Sequence, residues 1–217
     1  MIIGIGHKAR QGKDTAANFL RKKYSFTVIH FADALYEECK NCTIFFRELD
    51  KVFFLKSGDE DYYVFKNPSP EAIKWIRKNG KREENLPFKT SLAYYGMKKK
   101  DGRLLQFWGT EFRRKKINWD YWVNKVKEKI DAEPDRDYVI PDVRFINEAK
   151  FIKSRKGVIW KVVRPNFEIT DRDARHISET ELDNWRFDRI IVNDGTIEEF
   201  LKNVDEEYQN LLKSYKN

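Results

Sequence analysis

Cysteine is scarce in this chain: Cys39 and Cys42, spaced as CKNC, are the two in 217 residues. A structural zinc site needs a second pair of ligands, and only His7, His30 and His176 could supply them. Each of those histidines sits in a segment with a better use. A redox pair would open a helix directly after a strand, whereas CKNC follows the helix-like ADALYEE. Two ordinary reduced thiols are therefore expected. Long apolar runs are missing as well. None nears the ~20 residues of a membrane helix. The opening MIIGIG is too short for a secretory signal and lacks its basic leader. A cytoplasmic protein with no membrane partner is expected. Internal repeats and low-complexity tracts are also absent.

What is present suits a globular α/β chain. Hydrophobic residues make up 41% and aromatics 15%, enough for a sizeable core with Phe, Tyr and Trp as bulk. The net charge is +8, with 43 Lys+Arg. A basic surface attracts anions, either nucleic acid or small phosphorylated substrates. With 36% charged residues, however, much of that charge belongs to solvated helix faces. A polynucleotide is thus not the expected partner.

Val- and Ile-rich runs at 1–6, 26–31, 137–142, 157–163 and 188–194 show little alternation, as parallel strands covered on both faces should. Helical patterns separate them, and Thr196 with Glu198–Glu199 marks the start of the last one. The alternation predicts a right-handed parallel sheet. Residues 43–102 break the rhythm. Short strands or a hairpin, then the capped helix SPEAIKWIRKNG ending at Gly80, read as an inserted subdomain.

The stretch GHKARQGKDT joins the first strand to the first helix. Strand, glycine loop, lysine and helix start are the parts of a phosphate-binding loop. Gly12 allows the close turn, Lys13 reaches the phosphates, and the Thr15 hydroxyl bonds a phosphate oxygen. Asp14 stands where a serine is usual and can hold magnesium with a different oxygen. His7 stands where the first glycine of the pattern belongs, so Gly6 is expected to absorb the turn.

Further candidates lie at the other strand ends, where open α/β sheets bind ligands. Asp33 follows the second strand and faces either magnesium or a substrate hydroxyl, or merely caps the next helix. Asp142 and Arg144 follow the third, and Arg144 can grip a phosphate or pair with Glu148. Gln106 and Arg113 lie on a helix interrupted by Gly109, which permits a kink or a close approach. Arg164, Arg172, Arg175 and His176 fall in a polar crossing of lid length.

Taken in order, GHKARQGKDT, FADAL, LLQFWGTEFRR, IPDVRFINEA, VVRP, HISETELD and IIVNDGTIEEF resemble the bacteriophage-type deoxynucleoside monophosphate kinases. The likeness spans the chain apart from about 40–100. It implies one three-layer α/β P-loop NTPase domain over 1–217, with a roughly five-stranded parallel sheet, the insertion at 43–102 and an arginine-bearing lid at 164–181. It implies transfer of a phosphoryl group from ATP, with magnesium, to a deoxynucleoside 5′-monophosphate. Lys13, Asp14 and Thr15 would serve the ATP phosphates and the metal, with Gly12 beside them. Arg113 and Arg144 would hold the acceptor's phosphate, with Asp33, Gln106, Asp142, Phe145 and Glu148 on the same substrate side. Phe31, Trp108 or Phe145 would pack against deoxyribose. Arg164, Arg172 and Arg175 would be lid or adenine-side residues, and the Asn193-Asp194-Gly195 turn would lie by the adenine. A viral chain of this kind would work in the host cytoplasm. The competing readings are another P-loop kinase, acting on a nucleoside or coenzyme precursor, and a basic nucleic-acid-binding protein that uses ATP as a switch. Aromatic surface on the insertion allows a homodimer without requiring one.

Overall fold

The computed structural model describes residues 1–86, 88–89, 91–165, 167 and 173–216. Along the chain run β1 (Ile2–Gly6), α1 (Lys13–Tyr24), β2 (Thr27–Val28), α2 (Asp33–Lys40), β3 (Cys42–Arg47), β4 (Val52–Ser57), β5 (Tyr63–Lys66), α3 (Pro70–Asn79), β6 (Ser91–Tyr95) and α4 (Gly102–Gln106). A π-helical stretch, Phe107–Ile117, continues α4. Then come α5 (Tyr121–Ala132), β7 (Tyr138–Val143), α6 (Ile146–Ser154), β8 (Val158–Val163), α7 (Ile177–Thr180), β9 (Arg189–Val192) and α8 (Ile197–Lys216). The chain divides into two compact units, one of Met1–Ala32 with Trp122–Asn217, the other of Asp33–Tyr121.

The first unit is built on a five-stranded sheet in the order β2-β7-β1-β8-β9. Every pairing in it is parallel. Its glycine-bearing strand β1, read IIGIG, is buried throughout and lies at the centre. The two faces follow from alternation along β1. Ile3 and Ile5 point into a core with Ala16, Ala17 and Leu20 of α1 and Phe200 and Val204 of α8. Gly4 points the other way, where a Cβ would meet the Cδ1 tip of Ile152 of α6 at 2.6 Å, so a larger residue would force that side chain to move. Helices on both faces of a parallel sheet make the three layers that the sequence predicts.

The second unit holds an antiparallel sheet in the order β5-β4-β3-β6. Phe46 and Phe53 meet edge to face at 4.9 Å between centroids, inside its core. Ser69 caps α3 by accepting the Ala72 N–H at 3.2 Å, with Pro70 at the first helical position, as its sequence predicts. This unit is wider at both ends than the expected insertion of 43–102. At Gly109 the helix neither breaks nor kinks to a stop; it widens into π geometry with Trp108 and Phe112 buried. Such widening recurs at functional sites.

Two local expectations change. The strand expected over 26–31 shrinks to Thr27–Val28, because the amides of Phe31 and Ala32 leave the sheet for the Asp142 carboxylate, at 3.0 and 2.9 Å. SLAYY, unmarked in the sequence reading, becomes β6 because it completes the edge of β3. Cys39 and Cys42 are buried free thiols, and burial pushes Cys42 up to about 12. No helix among the described residues is long and apolar enough to cross a membrane.

Candidate active site

The loop between β1 and α1 is held in a backbone conformation that L-residues seldom adopt. His7, Arg10 and Gly12 all lie in the left-handed region, with φ of 81°, 59° and 105°. Gly6 does not take the turn as expected; His7 takes it. The tertiary fold enforces this: the His7 N–H donates to the Val143 carbonyl at 3.1 Å, and its ring pairs with Asp183 at 2.6 Å. Left-handed non-glycine residues cost on the order of 1–3 kcal/mol each and gather where a loop must shape its amides around a ligand.

Gly12 begins α1 without any side-chain cap. The first-turn amides and the positive end of the helix are thereby open to an anion. A Cβ at Gly12 would meet Asn193 Nδ2 at 2.6 Å and Phe200 at 3.3 Å, so the residue is required by space as well as by φ. Gln11 is the fastening the sequence does not reveal. Its side-chain oxygen accepts the Arg164 N–H, and its backbone carbonyl accepts Asn193 Nδ2 at 2.9 Å. One residue therefore ties the loop to the carboxyl ends of β8 and β9.

Lys13 is buried and donates from Nζ to the Lys8 carbonyl. Burial and the nearby Arg144 cation push its pKa down to about 7, against the pull of Glu179, Asp14 and Asp142. Asp14 and Thr15, by contrast, are exposed, and Asp14 stands 3.4 Å from His30 Nε2.

A cleft of about 680 Å³ opens beside these residues. Gly12, Asp14 and Thr15 line it together with Arg164, Asn193, Asp194 and Gly195. Seven positions picked from separate strand ends thus share one wall, at the carboxyl ends of parallel strands where such sheets take ligands. Arg10, Ile197 and Phe200 also line the cleft and carry no signal in the sequence reading. The turn at Asn193–Gly195 leads into α8, where Glu199 and Thr196 cap each other reciprocally.

The third strand's end is organised differently from expectation. Glu148 is buried and accepts the backbone N–H groups of Arg144 and Phe145 at 2.7 and 3.1 Å. Through these two bonds it caps α6. Phe145 is buried at that cap. Asp142, pushed above the usual carboxylate range by burial, spends both oxygens on the Phe31 and Ala32 amides just ahead of α2. Arg144 itself reaches Glu179 Oε1 at 2.6 Å and the Ser178 carbonyl at 3.2 Å.

Arg113 belongs to the second unit and is committed there. It is buried, with Nε on Glu38 at 2.7 Å and Nη2 on Glu60 at 2.9 Å. Glu38 also accepts Trp108 Nε1 and the Tyr121 hydroxyl, both at 2.7 Å. Trp108, a candidate for packing on deoxyribose, is fully buried in this network; Phe31 is buried in the first unit. Asp33 opens α2 and Gln106 closes α4, both in the second unit.

The expected lid resolves in part. Arg172 lies outside the described residues. Arg175 is 96% exposed at its side chain and is no part of the cleft wall. From His176 onward the segment is packed rather than open. His176 caps α7, accepting the Ser178 N–H at 3.2 Å, while Ser178 and Glu179 are buried. Spacing His176 three ahead of Glu179 was the available signal of a helix start, but nothing local gave Glu179 a partner.

Residues 100–204 match the family described as deoxynucleotide monophosphate kinase. The chain is 27% identical over 216 residues to a putative deoxynucleotide monophosphate kinase of Acanthamoeba polyphaga mimivirus, covering 94% of each chain. It is 30% identical over 107 residues to the deoxynucleotide monophosphate kinase of Escherichia phage RB69, covering 48% of this chain and 42% of that one.

Over this stretch the chain is similar to the deoxynucleotide monophosphate kinases.

Both relatives carry the name of an enzyme, a kinase. The stretch matched by the family holds Arg144, Arg164, Glu179 and the Asn193–Gly195 turn, with the loop between β1 and α1 N-terminal to it. Among solved structures, a sugar kinase of Janibacter sp. HTCC2649 covers 93% of this chain and 90% of its own at 11% identity, with a TM-score of 0.41, too slight a likeness to argue from.

Proposed function

We propose that the protein transfers the γ-phosphoryl group of ATP, with magnesium, to the 5′-phosphate oxygen of a deoxynucleoside monophosphate, releasing ADP and the diphosphate. The observation that carries this reading is the single cleft that unites the uncapped start of α1 with Arg164 and the Asn193–Gly195 turn. A triphosphate suits one end of it, through backbone amides and the helix dipole. A base suits the other, where Ile197 and Phe200 give apolar wall and the turn gives polar groups.

The donor set also fits the metal. Magnesium is held by one or two carboxylates and substrate phosphates rather than by a full protein cage. Asp14 supplies an exposed carboxylate on the cleft wall. When bound, magnesium would neutralise charge on the phosphate oxygens and orient them. The chain's own groups do the rest. Lys13 brings a cation to the loop, Arg144 grips the acceptor's phosphate, and Gln11 keeps the loop in register with Arg164. Little covalent work is asked of the protein, so positioning and charge neutralisation carry catalysis. Asp33, Gln106 and Arg113 keep their acceptor-side assignment on the resemblance alone.

The test is direct. The protein is incubated with ATP, magnesium and each deoxynucleoside monophosphate in turn, with ribonucleotides, nucleosides and DNA 5′ ends as controls. At least one monophosphate should give its diphosphate and stoichiometric ADP, and chelation of magnesium should stop it. Phosphorylation of a nucleoside or a DNA end, with no monophosphate used, would overturn the reading.

A further inference from the structure

Glu179 is a buried carboxylate beside the phosphate loop, with a side-chain exposure of 0%. A buried carboxylate is costly unless its oxygens are paired, and here each oxygen has a different partner. Oε2 accepts the backbone N–H of Ala9 at 3.0 Å. Oε1 accepts Arg144 Nη1 at 2.6 Å, and the neighbouring Ser178 carbonyl takes the same nitrogen at 3.2 Å. Ala9 lies between the two strained residues of the loop, His7 and Arg10. One side chain from α7 thus touches the phosphate loop and the arginine after β7 together.

We propose that Glu179 is a positioning residue that sets Arg144 and the phosphate loop from one carboxylate, so that the grip on the acceptor's phosphate and the shape of the loop depend on each other. The proposal rests on the reading of Arg144 as the acceptor-phosphate arginine. Its physical basis is geometric. A guanidinium is a rigid planar fork, so anchoring Nη1 fixes the plane in which its other hydrogens are presented. The Ala9 amide, anchored on the second oxygen, holds the loop at the point where its left-handed turns meet. Loss of either partner takes a hydrogen bond from a buried carboxylate, and the remaining contact must readjust.

Glu179→Gln keeps the shape and one acceptor oxygen but removes the charge that holds Arg144. Deoxynucleoside monophosphate and ATP are titrated separately on wild type, Glu179→Gln, Arg144→Ala and the double variant. Monophosphate affinity should fall tenfold or more in Glu179→Gln, and by a larger factor than ATP affinity. In the Arg144→Ala background the same change should have little further effect, since its route runs through Arg144. Losses that simply multiply, or a Glu179→Gln affinity within threefold of wild type, would overturn the proposal. A second readout needs no nucleotide: exchange of the Ala9 amide by NMR. It should speed up at least tenfold in Arg144→Ala, a variant that does not touch the loop directly. Unchanged exchange there would overturn the coupling. If wild type binds no monophosphate, the acceptor reading fails, and the exchange result still decides the coupling.

Discussion

Gly12→Ala tests whether the loop is shaped by close approach or only by chain flexibility. Two costs follow from the structure. At φ of 105° an L-residue is strained, by roughly 1–2 kcal/mol. The new Cβ would also lie 2.6 Å from Asn193 Nδ2 and 3.3 Å from Phe200. Phe200 is packed in the core beneath α8, so the Asn193 amide must give way. It then leaves the Gln11 carbonyl, now 2.9 Å away, a loss of about 1 kcal/mol. The sum is about 2–3 kcal/mol, a roughly thirty- to 150-fold shift in the folding equilibrium. Gly58→Ala is the reference, since Gly58 has a φ of 57° and nothing within 4 Å of its would-be Cβ. It should show strain alone, about 1 kcal/mol. Both variants are measured against wild type by urea denaturation, and Gly12→Ala is repeated in an Asn193→Ala background. There the clash and the hydrogen bond are already gone, so the extra cost should fall by about 1 kcal/mol. A Gly12→Ala no costlier than Gly58→Ala, or costs at Gly12 and Asn193 that simply add, would refute the close-approach argument.

Lys13→Ala should lower turnover on the order of 10²–10³-fold, as loss of a preorganised charge does, and move Tm little, because the amine it removes donates to a loop carbonyl; a large drop in Tm, or near-normal turnover, would remove Lys13 from catalysis. Glu38→Ala takes the shared acceptor from Arg113 Nε, the Trp108 N–H and the Tyr121 hydroxyl and leaves the buried guanidinium with Glu60, so it should destabilise the protein by about 3 kcal/mol, with Glu38→Gln milder; equal unfolding midpoints for Glu38→Ala and wild type would refute this. Burial lowers the His7 pKa, helped by Lys161 and Lys8 and opposed by Asp183. The folded protein then binds fewer protons than the unfolded chain just below about pH 6.5, so His7's contribution is present above that pH and is lost as pH falls through its folded pKa. His7→Gln should flatten that part of the stability profile, measured by denaturant titration across pH 5–7, and a profile parallel to wild type would exclude it.

Some of this protein could be read from short stretches because the physics there is local. IIGIG followed by a glycine–lysine helix start specifies strand, loop and dipole within a dozen or so residues, and Ser69-Pro70 and the Thr196–Glu199 pair mark helix starts by their own hydrogen bonds. Runs of Val and Ile without alternation likewise require a sheet covered on both faces. The partners that give the site its shape could not be read this way, because they are far apart in sequence. Ala9 meets Glu179 across 170 positions, and Arg164 meets Gln11 across 153. Arg113, which reads as a free phosphate ligand, is claimed by Glu38 only when the second unit folds. Even the turn after β1 depended on distant groups. Local propensity favours Gly6 for a positive φ, yet the Val143 carbonyl and Asp183 hold His7 there instead, because hydrogen bonds supplied by neighbouring elements outweigh the strain of one residue.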